Sequence, residues 1–504
     1  MEHVAIAIKD AVTKLTANER FPKQRPVMKG RRVIVLAAVA AWLGMVSSAP
    51  AQQQPDRLNV VLILVDDLGW TDFACYGSDL HETPNIDKLA RDGVKFTQAY
   101  SSCTVCSPTR ASLLTGKYPA RLHVTDWIPG QMPANPKMLV PDWTKYLPLE
   151  ETTLADVFRS NGYATVSLGK WHLGGPEYYP EKHGFDGNIG GTHLPQPPVG
   201  YFAPWKIDTL SEGKPGDYLT DRLGDEAVRY LQDHKDRPFF LYFPHYGVHT
   251  PIQGRADLVE KYNKKLRPGL EHHNPAYAAM VESVDETVGR VRKTLADLGI
   301  ADRTIVVVAS DNGGRVPTTS NKPLRAGKGS CYEGGVRVPL IISWPGVTKP
   351  GGVCDAPVIT ADLYPTLLQA TGLKDAPEHR PDGVSLVPLL RRTGDLKRDA
   401  LFWHYPHHQH YQQGGTMPYS AVREGDLKLI EQLDDGRLEL YNLCDDPGEQ
   451  HDLAAEKPDV ARRLRDRLQA WREEGGAQMP TPNPNYDPAK PQHIPRPKKA
   501  EAEK

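Results

Sequence analysis

The chain has 504 residues, with 61 Lys and Arg against 62 Asp and Glu, so its formal net charge is −1. That length exceeds what one hydrophobic core organises and implies a large domain with a smaller one, while the balanced charge excludes the broad positive field with which nucleic-acid binders collect phosphates. Hydrophobic residues at 39% and charged residues at 24% place it among globular proteins rather than disordered ones.

At the N-terminus, Lys29, Arg31 and Arg32 precede an apolar run from Val33 to Val46, followed by Ser48-Ala49-Pro50-Ala51. The run of 14 residues falls short of the ~20 that span a bilayer, and Ala49-x-Ala51 fits cleavage before Gln52. Residues 1–51 therefore read as a signal peptide, with Met28 as a candidate start, and predict export to the periplasm or outside the cell with no stable membrane span. An oxidising compartment opens Cys75, Cys103, Cys106, Cys331, Cys354 and Cys444 to disulfide formation, with connectivity undetermined.

Beyond residue 52 apolar runs alternate with helical patterns, which predicts an α/β fold with a large, mostly parallel sheet sandwiched by helices. Strands are predicted at 58–65, 164–168, 238–243, 304–309 and 340–344; helices at 84–92, 152–161, 217–234 and 276–298. The first strand is nearly all apolar, as a strand covered on both faces must be. The last helix repeats apolar residues at steps of three and four and stops at Gly299. Near residue 395 the texture changes: strands at 421–430 and 437–443, joined through Asp434-Asp435-Gly436, and a helix at 457–474 predict a smaller α+β subdomain over 395–476. Residues 477–504, Pro-rich and ending in Lys and Glu, read as an extended tail.

Chemistry concentrates where strands end, the ligand-binding edge of open α/β sheets. Asp66-Asp67 follow the first predicted strand and Asp311-Asn312 follow the 304–309 strand, an all-oxygen set suited to Ca²⁺ or Mg²⁺. The segment from Cys106 to Gly116, with Pro108 near its start, predicts a short helix whose N-terminus carries Cys106. Its amides and dipole favour an anion there, and Arg110 adds a fixed cation. Lys170 and His172, at i and i+2, would point the same way if the 164–168 strand continued. Gly187–Trp205, with His193, and Trp403–Tyr411, with His404, His407, His408 and His410, read as loops shaping a polar mouth rather than a transition-metal cluster.

Cys106-Ser107-Pro108-Thr109-Arg110, with Thr115-Gly116, resembles the signature of the type I sulfatases of the alkaline-phosphatase-like superfamily. Further blocks look alike and stand in family order: Val65-Asp66-Asp67-Leu68-Gly69, Gly169-Lys170-Trp171-His172-Leu173-Gly174, Val248-His249-Thr250-Pro251, Ser310-Asp311-Asn312-Gly313-Gly314 and Gly327-Lys328-Gly329. The likeness covers roughly 57–475, points to the arylsulfatase A and N-acetylgalactosamine sulfatase group, and makes 52–394 the catalytic domain. Thr109 stands for the commoner serine, and Val248 for the proline that often precedes the histidine.

The resemblance implies that a formylglycine-generating enzyme converts Cys106 to Cα-formylglycine, whose hydrate attacks sulfur. It implies one Ca²⁺ or Mg²⁺ on Asp66, Asp67, Asp311, Asn312 and residue 106, with Arg110, Lys170 and Lys328 neutralising sulfate oxygens. His249 or His172 would protonate the leaving oxygen of a sulfated glycan or aryl sulfate. Open alternatives are a phosphonate or phosphodiester hydrolase of the same superfamily, a catalytically silent glycan-binding homologue, and a redox protein using the Cys103-x-x-Cys106 spacing.

Overall fold

The computed structural model describes residues 57–411 and 417–490; the signal-peptide reading of 1–51 lies outside them. In chain order the first strands are β1 (Asn59–Val65), β2 (Val94–Tyr100), a two-residue β3 (Met138–Leu139), β4 (Ala164–Leu168), β5 (Gly187–Ile189), β6 (Phe239–Pro244), β7 (Thr304–Ser310), β8 (Arg337–Ser343), β9 (Gly352–Cys354) and β10 (Val358–Ile359). All but β3 join one sheet in the order β10-β2-β8-β7-β1-β6-β4-β5, with β9 also on β2. Pairing is parallel except along β8, which runs against both β7 and β2. The sheet is thus mixed and mostly parallel.

β1 is buried along its whole length, and the two-residue period of a strand divides it between two cores. Val61, Ile63 and Val65 pack with Val284 and Val288 of the helix Pro275–Asp297. Val60, Leu62 and Leu64 pack with Leu113 and Leu114 of the helix Cys106–Thr115 on the opposite face. Each such side chain contributes roughly 1.5–3 kcal/mol on leaving water, so this strand is held rigidly and its last residue is a fixed point. Register then aligns the strand ends: Leu64 pairs Pro244 and Val65 pairs Ser310. Asp66, His245 and Asp311 follow at one edge.

The chain leaves β4 through a turn rather than by continuing the strand. Gly169 sits at φ 117°, where a Cβ would stand 2.0 Å from the Pro244 carbonyl oxygen, and His172 is itself at φ 57°. Lys170 and His172 thus reach the edge by a backbone reversal, which corrects the expectation of a continued strand.

β11 (Ala400–Tyr405), β12 (Tyr419–Glu424), β13 (Leu427–Gln432) and β14 (Leu438–Asn442) form a separate antiparallel sheet. The predicted 421–430 strand is two strands, broken at Gly425 with φ 57°. The stretch read as a loop from Trp403 begins inside β11, and Gly187–Ile189 of the other expected loop is the edge strand β5. The helix Pro458–Gly475 covers one face of this sheet through Ala461, Leu464 and Leu468 against Val422, Leu429 and Leu440. The other face, with Trp403, Ala421 and Ile430, packs on Tyr100, Cys103 and Val105. Past this helix the tail is pinned: β15 (Thr481–Pro482) pairs β3, and Asn135 Nδ2 donates to the Asp487 carbonyl at 2.8 Å. Among the described residues no helix is long and apolar enough to cross a membrane.

Gly169→Ala places a methyl group against a backbone oxygen that cannot yield, at a φ that L-residues avoid. It is expected to destabilise the fold by about 2–3 kcal/mol, measured as a lowered urea midpoint with unchanged slope.

Candidate active site

The helix Cys106–Thr115 is buried throughout and begins with Cys106, 1% exposed; its C-cap Gly116 has φ 71° and donates to the Ser112 carbonyl. Around this N-terminus stand Asp66 and Asp67 after β1, Lys170 and His172 after β4, His249 after β6, Asp311 and Asn312 after β7, and Lys328 from the loop before β8. All are buried. The sequence-predicted residues are brought together, save the rim histidines. His193 is exposed, while His404 bonds Ser420 and the Gln478 carbonyl, His407 bonds Thr125, and His408 bonds the Met138 carbonyl.

Three carboxylates face three fixed cations. Lys170 Nζ donates to Asp66 Oδ2 at 2.5 Å, Arg110 Nη2 to Asp311 Oδ2 at 2.7 Å, and Lys328 Nζ to Asp67 Oδ1. Arg110 Nε also reaches Asp311 Oδ2, and its Nη1 donates to the Lys170 carbonyl at 2.9 Å. The Asp67 amide donates to Asp311 Oδ1 at 3.2 Å and Asn312 Nδ2 to Asp67 Oδ1 at 2.9 Å, locking the two strand ends together. Lys328 Nζ stands 4.0 Å from Cys106 Sγ.

Burial, with Asp311 alongside, pushes Asp66 up to about 8 against the pull of Lys170 and Arg110. Burial also opposes ionisation of Asp67, but Lys328, then His249 and Lys170, hold its carboxyl below the usual range. The Cys106 thiol is pushed up by burial, which outweighs Lys170 and Lys328, and the Cys103 thiol is pushed up by burial too. Neither thiol has the lowered pKa of a redox cysteine, and all six cysteines are unpaired.

Two buried acceptors, Asp66 Oδ1 and Asn312 Oδ1, have no hydrogen-bond donor. Donor atoms of Asp66, Cys106 and Asp311 lie within 4.8 Å of one another. Unpaired oxygens in an all-oxygen wall, one of them on a carboxylate that burial keeps reluctant to ionise, fit a hard divalent cation.

The histidines differ. His172 Nε2 lies 2.5 Å from the Ile128 carbonyl, so it carries the proton and leaves Nδ1 a buried nitrogen with no partner. His249 Nδ1 faces the Thr250 carbonyl at 2.8 Å, which turns Nε2 toward Asp67 Oδ2 at 3.7 Å. Burial pulls both below the ordinary histidine value. No residue pattern points to Ile128, whose contribution is a backbone carbonyl. Nor does any single out Tyr411 beyond closing an expected rim: its ring lies 5.0 Å from Lys328 Nζ.

A mostly parallel sheet that ends in an acidic and cationic cluster around a helix N-terminus is the layout of a site for an anionic ester. The family model described as Sulfatase matches residues 58–373, and one described as N-sulphoglucosamine sulphohydrolase, C-terminal, matches 327–474. A sulfatase from Formosa agariphila is 35% identical, covering 88% of this chain and 94% of its own. Human arylsulfatase A is 32% identical, covering 81% and 86%. The solved structure of Ps i-CgsB in complex with k-i-k-neocarrahexaose aligns with TM-score 0.70 at 28% identity, covering 83% of this chain and 93% of that one. This chain belongs to the sulfatase family, and it is an enzyme of sulfate-ester hydrolysis.

Arg110→Ala leaves Asp311 and Asp66 facing each other without their guanidinium. It is expected to destabilise the protein by about 3–5 kcal/mol, read from chemical denaturation, whereas Lys88→Ala, which breaks an exposed pair with Asp92, changes little.

Proposed function

We propose that the protein removes sulfate from a sulfated glycan, using Cα-formylglycine made from Cys106 and one Ca²⁺ or Mg²⁺ held by Asp66, Asp67, Asp311, Asn312 and residue 106. The observation that carries this reading is the position of Cys106: the first residue of a buried helix, within 4.8 Å of carboxylate oxygens of Asp66 and Asp311. Once matured and loaded, such a site would supply a geminal diol as nucleophile, with a cation held by these residues to lower the pKa of its hydroxyl.

The chain's own residues do the rest. Helix amides at 106, 107 and 109 and the ammonium groups of Lys170 and Lys328 receive the sulfate oxygens, the preorganised electrostatics that usually carry most of the rate. Arg110 spends its bonds on Asp311 and the Lys170 carbonyl, so it acts as a positioning residue that fixes two oxygen ligands and a lysine. His172, protonated on the nitrogen facing Ile128, offers a lone pair on Nδ1 and suits accepting a proton. His249, its side chain 10% exposed, stands nearer solvent and is our choice of proton donor to the departing sugar oxygen. A bound sulfate ester adds negative charge beside it, which favours the imidazolium that burial disfavours. The glycan assignment draws support from the k-i-k-neocarrahexaose in the Ps i-CgsB complex.

Matured protein is expected to carry an aldehyde at position 106 by peptide mass spectrometry, and Cys106→Ala to lose on the order of 10³-fold or more in sulfate release. Full activity in Cys106→Ala, or equal turnover of a phosphodiester bearing the same leaving group, would overturn the reading.

His249→Ala is expected to lower kcat/KM on a sulfated sugar by about 10²-fold or more, and on nitrophenyl sulfate by less than about tenfold. A donor must be protonated, so sugar desulfation should fall as pH rises through the His249 pKa while aryl desulfation persists. A selective sugar defect in His172→Ala instead would move the role to His172.

A further inference from the structure

Behind the active site lies a second cluster that the reaction does not use. Asp72, His81 and His272 are buried, and their donor atoms lie within 4.8 Å of one another. Asp72 is in the loop that leaves β1 with Asp66 and Asp67; His272 is two residues before Asn274, the N-cap of the helix Pro275–Asp297.

Both histidines have Nδ1 committed to an oxygen acceptor. His272 Nδ1 is 2.8 Å from Asp79 Oδ1, and His81 Nδ1 is 2.8 Å from the Asp72 carbonyl oxygen. Each contact places a proton on Nδ1; in the neutral ring Nε2 then keeps a lone pair, the outer-bond pattern that orients ligating histidines. In a neutral His272 that lone pair meets an acceptor, since Nε2 stands 3.3 Å from Asp72 Oδ1. A charge-assisted hydrogen bond would draw the two atoms to about 2.7–2.9 Å. Two donors each about 2.0–2.1 Å from one tetrahedral ion stand roughly 3.3 Å apart. Thr71 Oγ1, 3.5 Å from the same nitrogen, leaves room for a hydroxyl or water as fourth neighbour.

Charge and donor type agree. Among the described residues the ionic partners of Asp72 and Asp79 are histidines alone, so two carboxylates here lack a lysine or arginine. Thr319 Oγ1 donates to Asp72 Oδ1 at 2.6 Å, and the Gly69 amide and Tyr277 hydroxyl each donate to Oδ2 at 2.6 Å, which fixes the carboxylate yet leaves one lone pair on Oδ1.

We propose that Asp72, His81 and His272 form a structural site for a borderline transition metal, Zn²⁺ by its donor set, distinct from the all-oxygen site. The ion braces the loop carrying Asp66 and Asp67, because the Tyr277 hydroxyl that binds Asp72 also lies 3.2 Å from the Asp67 carbonyl oxygen.

The test uses the full chain produced without a histidine tag, incubated with Zn²⁺, gel-filtered, and assayed for zinc by mass spectrometry, with Co²⁺ absorption as a second readout. One zinc per chain is expected in the wild type and in Asp311→Ala, with lost zinc and lost Co²⁺ bands in His81→Gln and in His272→Gln. Should His272→Gln not fold, His81→Gln carries the comparison, with circular dichroism as the check. A folded wild type that retains no zinc, with His272 an imidazolium between Asp72 and Asp79 by NMR, overturns the proposal. So does zinc kept by the double histidine variant.

Discussion

The protein is organised around the cost of burying three carboxylates at one sheet edge. Asp66, Asp67 and Asp311 converge where water cannot reach them, and two unit charges 4 Å apart at an effective dielectric near 20 interact by about 4 kcal/mol. Lys170, Lys328 and Arg110 answer that charge one for one. Because buried ions need both partners in place, the segments delivering them must be fixed relative to one another. The parallel register of β1 with β6 and β7, the close packing at Gly169 and the burial of the helix Cys106–Thr115 do that fixing.

Charge balance also explains why the site suits its substrate class. With all three carboxylates ionised, three cations leave a neutral floor; the divalent cation proposed above would tip it positive, toward the negative charge of a sulfate monoester. Arg110 is central to this balance although its guanidinium faces ligands rather than substrate. An arginine can act on catalysis by holding carboxylates and a neighbouring backbone carbonyl in place.

Much of this could be read from the residues in order, and the failures have physical reasons. Asp66-Asp67 and Asp311-Asn312 were legible because each directly follows a largely apolar, fully buried strand, so sequence position fixes spatial position. Cys106 to Gly116 was legible through its start, its proline and its left-handed cap. Lys170 and His172 were placed at the site by a continued strand, when the chain gets there through a reversal at Gly169. Period alone cannot foresee a positive φ. β2, interrupted by Lys95, Thr97 and Gln98, lacked the apolar run that marked β1, and β9 and β10 are too short to carry any period. The Asp72, His81 and His272 cluster was invisible because its members are far apart in sequence and meet only through the packing of the helix Pro275–Asp297.

The burial of Cys106 sets a schedule. At 1% exposure, directly after the buried segment Ser101–Val105, its side chain is out of reach of any macromolecule once the domain has closed. Trp403 seals that segment by donating Nε1 to the Ser101 carbonyl at 2.9 Å, and Trp403 lies about three hundred residues downstream. An enzyme acting on Cys106 must therefore meet an extended peptide, before the last quarter of the polypeptide has docked. Under the proposed conversion of Cys106, maturation and folding would compete in time, and the yield of working protein would be decided by which comes first.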